Sequence, residues 1–292
     1  MQNIIQQRGE VSINQEIENF WSLDFEVLTT AELEEILGKL LNGYATKQYS
    51  INPGGVLVRG RINKKSCLFR KNILFSNSRN LWYPLPDDVR TLGRFNDVSE
   101  SYFYCSKEPE TVLRELKPKT SDWITILECE IDDQVKAPLF LIGIKHLKNV
   151  SSEFARILED HATNKFHDTE TQKQLNLLLD EFINDLAQKE DKNYYKATNA
   201  IARIYLQARI AGLLYPSIAT KNHDGTNFVF KTDFADANIR PYHAVVYEVI
   251  DKTPNSYFMK RIYESHFLHG QHGRLNWKKL PENIEPPAEY VI

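Results

Sequence analysis

Residues 81–115, LWYPLPDDVRTLGRFNDVSESYFYCSKEPETVLRE, form the most informative stretch of the sequence. Arg94 follows a glycine at a predicted turn. The aromatic run Tyr102–Tyr104 is typical of a strand, and Glu115 falls on a short helix that Pro109 is suited to begin. A cation, an aromatic ring and a carboxylate therefore lie within about two dozen residues. This combination is typical of a site for a charged ligand that carries a ring.

The rest of the chain predicts an α+β fold. Apolar or alternating runs predict further strands, among them residues 56–58, 67–70, 123–131, 227–231, 243–250 and 257–263. Helical periodicity dominates residues 150–212, with helices expected near 152–162, 170–188 and 194–211. Residues 1–50 are interpreted as an N-terminal helical extension with a capping box at Thr29 and Glu32, and residues 51–292 as the main domain.

Composition excludes several classes of protein. The 292 residues carry a net charge of -3, so no direct binding of nucleic acid is expected. The N-terminus has no apolar segment of the kind found in secretory signals, and no apolar run approaches membrane-spanning length. Cys67, Cys105 and Cys129 form no CxxC pair, which predicts buried free thiols in a reducing compartment. We therefore expect a cytoplasmic protein without membrane contact.

Common catalytic and cofactor motifs are missing from the sequence. It contains no GxGxxG, no GxxxxGK[ST], no GxSxG and no HExxH. The spacing of His266, His269 and His272 is the one pattern that resembles a metal site. No cysteine is near and the segment reads as a polar loop, so we expect no metal there.

Seven motifs occur in the order typical of one family, over roughly residues 65–250. The chain resembles the RES domain family, bacterial proteins similar in fold to ADP-ribosyltransferases. The motifs are Leu68-Phe69-Arg70, Trp82-Tyr83-Pro84, Gly93-Arg94-Phe95-Asn96, Tyr104, Glu115, Tyr215-Pro216-Ser217 and Asn227. Each motif alone has an ordinary structural explanation, and the interpretation rests on their joint order.

The resemblance implies a fold, a substrate and a set of site residues. The fold is an ADP-ribosyltransferase-like core of two packed β-sheets with flanking helices, and the substrate is NAD+. The implied catalytic residues are Arg94, Tyr104, Glu115 and Ser217, and the implied ligand-binding residues are Arg70, Asn96 and Asn227. Two segments depart from the family pattern: residues 97–99 are Asp-Val-Ser where Pro-x-Gly is usual, and residues 105–106 are Cys-Ser where Leu-Ala is usual.

Physical chemistry supports these roles. A guanidinium recognises pyrophosphate oxygens bidentately, which suits Arg94, with Arg70 as a second candidate. The face of Tyr104 could hold the cationic nicotinamide ring by stacking and cation–π attraction. A carboxylate at Glu115 would stabilise the oxocarbenium-like transition state. Ser217 would hydrogen-bond either the nicotinamide amide or an attacking oxygen, and the sequence does not choose between them.

The resemblance therefore implies an NAD+ glycohydrolase, or a phosphorylase with inorganic phosphate as co-substrate. By the same resemblance it is the toxin of a bacterial toxin–antitoxin pair, with an Xre-like helix-turn-helix antitoxin as partner. The helical segments could serve that partner or a homodimer. Two alternatives stay open: an ADP-ribosyltransferase that modifies a protein acceptor, and a catalytically silent module that binds a nucleotide or a partner.

Overall fold

The protein was analysed as a computed structural model, which describes residues 10–44, 46–65, 73–147, 154–157, 170–219, 225–266, 273–281 and 288–291. The chain divides into two compact units, each made of three separate segments. The first unit comprises residues 1–49, 85–101 and 138–216, and the second comprises residues 50–84, 102–137 and 217–292. The predicted division into an extension (1–50) and a main domain (51–292) stays a prediction.

Helices and strands alternate irregularly along the chain. The described helices are α1 (Glu10–Trp21), α2 (Thr30–Leu40), α3 (Pro109–Leu116), α4 (Ile144–Leu147), α5 (Glu170–Gln188), α6 (Tyr195–Leu206) and α7 (Thr232–Asn238). The described strands are β1 (Gln48–Ile51), β2 (Val56–Ile62), β3 (Tyr102–Ser106), β4 (Trp123–Ile131), β5 (Ala137–Leu141), β6 (Gly212–Pro216), β7 (Thr226–Lys231), β8 (Ile239–Lys252), β9 (Ser256–His266), β10 (Lys278–Lys279) and β11 (Ala288–Val291). The protein is thus a mixed α and β structure with a large sheet and flanking helices, which agrees with the predicted α+β class.

The second unit is built on an antiparallel sheet. Its strand order is β7-β3-β2-β4-β8-β9-β10, and β11 also pairs with β9. The described strands of this unit form one sheet, where two packed sheets were expected. Strand β8 is 14 residues long and its pairing shifts register with both β4 and β9. Such bulges bend and twist strands, so a long strand can continue through a curved sheet without a break in its ladder.

The first unit is mainly helical and contains the parallel pair β5 and β6. The predicted capping box begins α2: the side chain of Thr29 accepts from the N–H of Glu32, whose carboxylate accepts from the N–H of Thr29. Leu33 and Leu37 are then buried one turn apart on the inner face of α2. Phe20 packs edge-on against Phe182 of α5, with ring centroids 5.1 Å apart. Apolar faces at helical spacing therefore build this core.

Several local predictions are confirmed. Strand β4 spans the predicted residues 123–131, α5 spans 170–188, and β3 contains the aromatic run. Cys105 and Cys129 are buried free thiols, and burial raises the pKa of both. Among the described residues no helix is both long and apolar enough to cross a membrane. Some predictions lie outside the described residues: Cys67, the strand at 67–70 with Arg70, most of the helix at 152–162, and His269 with His272.

Candidate active site

Glu115 lies in the last turn of α3, the short helix that the sequence predicted. Pro109 occupies the first turn, where its missing N–H costs nothing. Val112 and Leu113 are buried toward the sheet, whereas Glu115 is exposed. The helix ends at Lys117, whose φ of 47° is left-handed and turns the chain away. These features leave one carboxylate at the solvent-facing end of the helix.

The position of α3 depends on close approach to β2. A Cβ atom at Gly60 of β2 would lie 2.4 Å from Cγ1 of Val112 and 2.8 Å from Cδ1 of Leu116. Both distances are shorter than van der Waals contact, so only glycine fits between the strand and the helix. Val112 and Leu113 join a buried cluster that includes Val58 of β2. The packing therefore holds the helix, and with it Glu115, on one face of the sheet.

Two buried side chains hold the Glu115 carboxylate. The Ser217 hydroxyl donates to Oε1 of Glu115 at 2.8 Å, and the Asn227 amide nitrogen donates to the same oxygen at 2.6 Å. Ser217 is 0% exposed and Asn227 is 7% exposed. Ser217 also accepts from the N–H of Ala219 at 3.3 Å, which orients its hydroxyl. The structure thus brings Ser217 and Asn227 into contact with a glutamate that lies more than 100 positions earlier in the chain.

The two donors leave the carboxylate partly uncommitted. Both bonds go to Oε1, and no donor to Oε2 is found among the described side chains and backbone. The carboxylate also stands at the C-terminal end of a helix, where the helix dipole favours a cation instead. The Glu115 carboxylate is therefore unfavourable for the helix, and yet two buried donors hold it in place. This combination is typical of a functional site rather than of a stabilising contact.

Tyr104 lies on the same sheet face as Asn227. Tyr104 and Ser106 are two residues apart on β3, and Ser106 stands opposite Asn227 of β7 in the antiparallel pairing. Residues directly opposite each other, and residues two apart on one strand, point to the same face. Tyr104 is half-buried in this position. The predicted aromatic residue therefore faces the side of the sheet on which Glu115 is anchored.

Arg59 is a supporting residue that the sequence interpretation did not single out. Its guanidinium donates to the carbonyl oxygen of Tyr104 and, at 3.0 Å, to that of Leu81. It also lies 5.5 Å from the ring centroid of Phe103. Burial lowers the pKa of Arg59 to about 10, so it stays charged at neutral pH. An arginine inside the apolar strand VLVRGRI was the signal that could have identified it.

Arg94 and Asn96 belong to the first unit, where both have structural contacts. The guanidinium of Arg94 donates to the carbonyl oxygens of Ala187 and, at 3.3 Å, Lys189, at the C-terminal end of α5. Its Cζ lies 5.3 Å from the ring centroid of Tyr195. The side chain of Asn96 fills the space beside Gly93, where a Cβ atom would lie 2.1 Å from Oδ1 of Asn96. The catalytic role implied for Arg94 and the ligand-binding role implied for Asn96 stay predictions.

Comparison with known protein families matches residues 74–248 to the RES domain, which is more than half of the chain. The chain belongs to the RES domain family. A search of curated proteins found no match. The predicted membership is thus confirmed, and the RES domain contains Tyr104, Glu115, Ser217 and Asn227 within its matched range. Helices α1 and α2 precede the match, and the end of β8 and strands β9, β10 and β11 follow it.

The segment of residues 97–99 forms a turn with one left-handed residue. The φ of Ser99 is 62°. Asp97 supports the turn by accepting from the N–H of Val98 at 2.7 Å and from the hydroxyl of Thr30 at 2.7 Å. Arg203 lies 3.2 Å from the carboxylate of Asp97. Ser99 therefore holds a left-handed conformation in a turn that the Asp97 carboxylate supports.

Proposed function

We propose that this RES domain protein is an NAD+-degrading enzyme with an ADP-ribosyltransferase-like catalytic core. The observation that carries the proposal is the exposed Glu115 carboxylate, anchored through one oxygen by the buried Ser217 and Asn227. Membership of the RES domain family, known from toxin–antitoxin systems, supports it. A carboxylate fixed in this way is preorganised to stabilise positive charge that develops near its second oxygen.

In the proposed reaction the bond between C1′ of the ribose and the nicotinamide nitrogen breaks. Its electron pair stays on nicotinamide, which leaves as a neutral ring and needs no general acid. The ribose becomes an oxocarbenium-like cation, and Glu115 stabilises that charge. Water or phosphate then forms the new bond at C1′ through an oxygen and releases a proton to solvent when the attacking group is water. The products are nicotinamide and ADP-ribose or its 1-phosphate.

Ser217 takes a more specific role in this proposal than either alternative considered from the sequence. Its hydroxyl donates to Glu115 and accepts from a backbone N–H, so it positions the carboxylate. Asn227 has the same task from β7. Tyr104 supplies an aromatic face on this side of the sheet and is the proposed partner of the nicotinamide ring. The proposed pyrophosphate-binding role of Arg94 rests on the resemblance.

The decisive experiment is NAD+ consumption by the purified chain, with and without phosphate, followed by chromatographic separation of the products. We expect nicotinamide release, and the phosphate dependence distinguishes phosphorolysis from hydrolysis. Glu115→Gln keeps the shape and one acceptor oxygen but removes the charge, so turnover should fall at least about 10²-fold to 10³-fold. Glu110→Gln, on the first turn of the same helix, is the matched control and should keep its activity.

A second candidate function is a catalytically silent module that binds a nucleotide or a partner. It is favoured by the guanidinium of Arg94, which is already bonded to two backbone carbonyl oxygens. An NAD+ titration followed by calorimetry separates the two functions, because saturable binding without nicotinamide release supports the silent module. A transferase that modifies a protein would instead leave radiolabel from adenine-labelled NAD+ on protein in a cell lysate.

Toxin function and its partner form a separate step of the proposal. We expect expression of the active chain to lower cellular NAD+ and stop growth, and Glu115→Gln to relieve both effects. An Xre-like antitoxin that shields the site would restore NAD+ when it is co-expressed. Growth arrest by the Glu115→Gln variant at equal expression would contradict the link between toxicity and NAD+ cleavage.

A further inference from the structure

A row of polar residues crosses three strands of the second unit at a place that the proposed reaction does not use. Glu128 of β4 stands opposite His243 of β8, and His243 stands opposite His266 of β9. Glu264 lies two residues before His266 and so points to the same face. The register of the sheet therefore gathers two imidazoles and two carboxylates on one face.

Three of these side chains are close enough to share one ion. One candidate ligand atom from each of His243, Glu264 and His266 lies within 4.8 Å of the other two. Ligand atoms around a tetrahedral zinc ion are about 3.3 Å apart, given bond lengths of about 2.0–2.1 Å. Small rotations of the side chains would therefore complete the geometry. The two imidazole rings are stacked with centroids 4.4 Å apart, which already places both at one spot.

The hydrogen bonds of His243 provide an independent indication of a ligand. Nδ1 of His243 lies 3.2 Å from a carboxylate oxygen of Glu128. A carboxylate oxygen accepts, so Nδ1 is the donor in this contact and Nε2 is the ring nitrogen left to face a ligand. Nε2 is buried and has no hydrogen-bond partner within the described part of the chain. A carboxylate behind a histidine is the arrangement that orients metal-binding imidazoles.

We propose that His243, Glu264 and His266 form a binding site for a divalent transition-metal ion, with Zn²⁺ as the expected occupant. Two imidazoles and a carboxylate are ligands that Zn²⁺ accepts, and three protein ligands leave a fourth position for water. Glu128 positions His243 from behind. The ion would join β8 to β9, whose pairing holds the long hairpin together.

Two cations compete with the ion for Glu264. Its carboxylate lies 3.5 Å from Arg261 and 3.7 Å from Lys278. Both distances exceed the usual length of a charged hydrogen bond, about 2.7–2.9 Å, so neither contact commits the carboxylate. Removing one competitor without touching a ligand should favour the metal. Lys278→Gln is therefore expected to bind Zn²⁺ at least as tightly as the unchanged chain.

The test is a Zn²⁺ titration of the tag-free, metal-stripped full chain against a chromophoric chelator. We expect one equivalent to bind and to raise the thermal midpoint of unfolding. Affinity should fall at least 10-fold in His266→Gln and in Glu264→Gln, and about 10-fold to 100-fold in Glu128→Gln. Asp251→Asn, an exposed carboxylate farther along β8, is the control and should bind as the unchanged chain does.

Two results of this titration would contradict the proposal. Absence of saturable Zn²⁺ binding by the unchanged chain up to millimolar concentration would overturn it. So would equal affinity in His266→Gln, because the ion would then lie elsewhere. Substituted Co²⁺ gives a second readout: a visible absorption band that is present in the unchanged chain and absent from His266→Gln supports the site. Thermal midpoints measured without metal verify that each variant is folded.

Discussion

Two carboxylates, one in each unit, are both held by hydrogen bonds. We propose a catalytic role for one of them and a structural role for the other. Glu115 in the second unit is exposed, and buried donors reach one of its oxygens. Asp180 in the first unit is 3% exposed and accepts from the N–H groups of Gly143 and Ile144, at 3.0 and 2.9 Å, and from the hydroxyl of Tyr44, at 3.2 Å. The Asp180 bonds use both oxygens, so that carboxylate has little capacity left for a ligand.

The comparison shows that the number of bonds does not distinguish structure from function. Asp180 satisfies the N–H groups at the start of α4, where Gly143 has a left-handed φ of 70°. Burial raises the pKa of Asp180 to about 6. Glu115, by contrast, keeps one oxygen toward solvent at a helix end that disfavours its charge. On the proposed function, what separates the two is whether an oxygen remains for a substrate.

The largest expected effect is on stability when each carboxylate is removed. Asp180→Ala leaves two buried N–H groups and the half-buried Tyr44 hydroxyl without their acceptor, so we expect the free energy of unfolding to fall by about 3–5 kcal/mol. Glu115→Ala removes an exposed side chain, so its unfolding free energy should change by about 1 kcal/mol or less. Urea unfolding followed by circular dichroism measures both. Similar losses in the two variants would break the comparison.

The next effect concerns pH. The pKa of Asp180 rises from 3.8 to about 6 on folding, so between these values the folded state binds more protons than the unfolded state. Its contribution to stability is therefore full below about pH 4 and is lost as pH rises through about 6. The change amounts to about 3 kcal/mol at 1.36 kcal/mol per pKa unit. Asp180→Asn does not titrate, so its stability relative to the unchanged chain should improve from pH 4 to pH 6.5 in urea titrations.

A smaller effect tests the packing of α3 against β2, which holds Glu115 in place, rather than Glu115 itself. Gly60→Ala forces a methyl group against Val112 and Leu116, which should cost about 1–3 kcal/mol of unfolding free energy and displace α3. NAD+ turnover should fall with it. Gly38→Ala is the control: a Cβ there meets nothing within 4 Å, so alanine should stabilise α2 by about 1 kcal/mol. Unchanged stability of Gly60→Ala would show that α3 can shift without cost.

The smallest effect comes from the end of α3. Lys117 has a left-handed φ of 47°, which glycine adopts without strain. Lys117→Gly should therefore raise the free energy of unfolding by up to about 1 kcal/mol and leave NAD+ turnover unchanged. Lys119→Gly, two residues farther, lacks this strain and should stabilise nothing. A gain in Lys119→Gly of the same size would show that the effect is not specific to the helix end.

Interactions between residues that are close together in the sequence could be predicted, whereas interactions between distant residues could not. The capping box of α2 involves residues three apart, and the helix of Glu115 begins at an adjacent proline, so both could be read locally. Ser217 and Asn227 were predicted as site residues through family resemblance, whereas their bonds to Glu115 became visible in the structure. The contacts of Asp180 reach 37 and 136 positions along the chain and leave no local pattern.

By itself, the sequence determined the α+β class, the membership of the RES domain family, and the strand and helix that carry Tyr104 and Glu115. These properties follow from periodicity, capping and motif order, which act within one element. The tertiary structure alone decided which oxygen of Glu115 is anchored, why Gly60 must lack a side chain, and which histidines face each other. Those features depend on strand register and packing across distant segments, and a one-residue shift of a strand would reverse them.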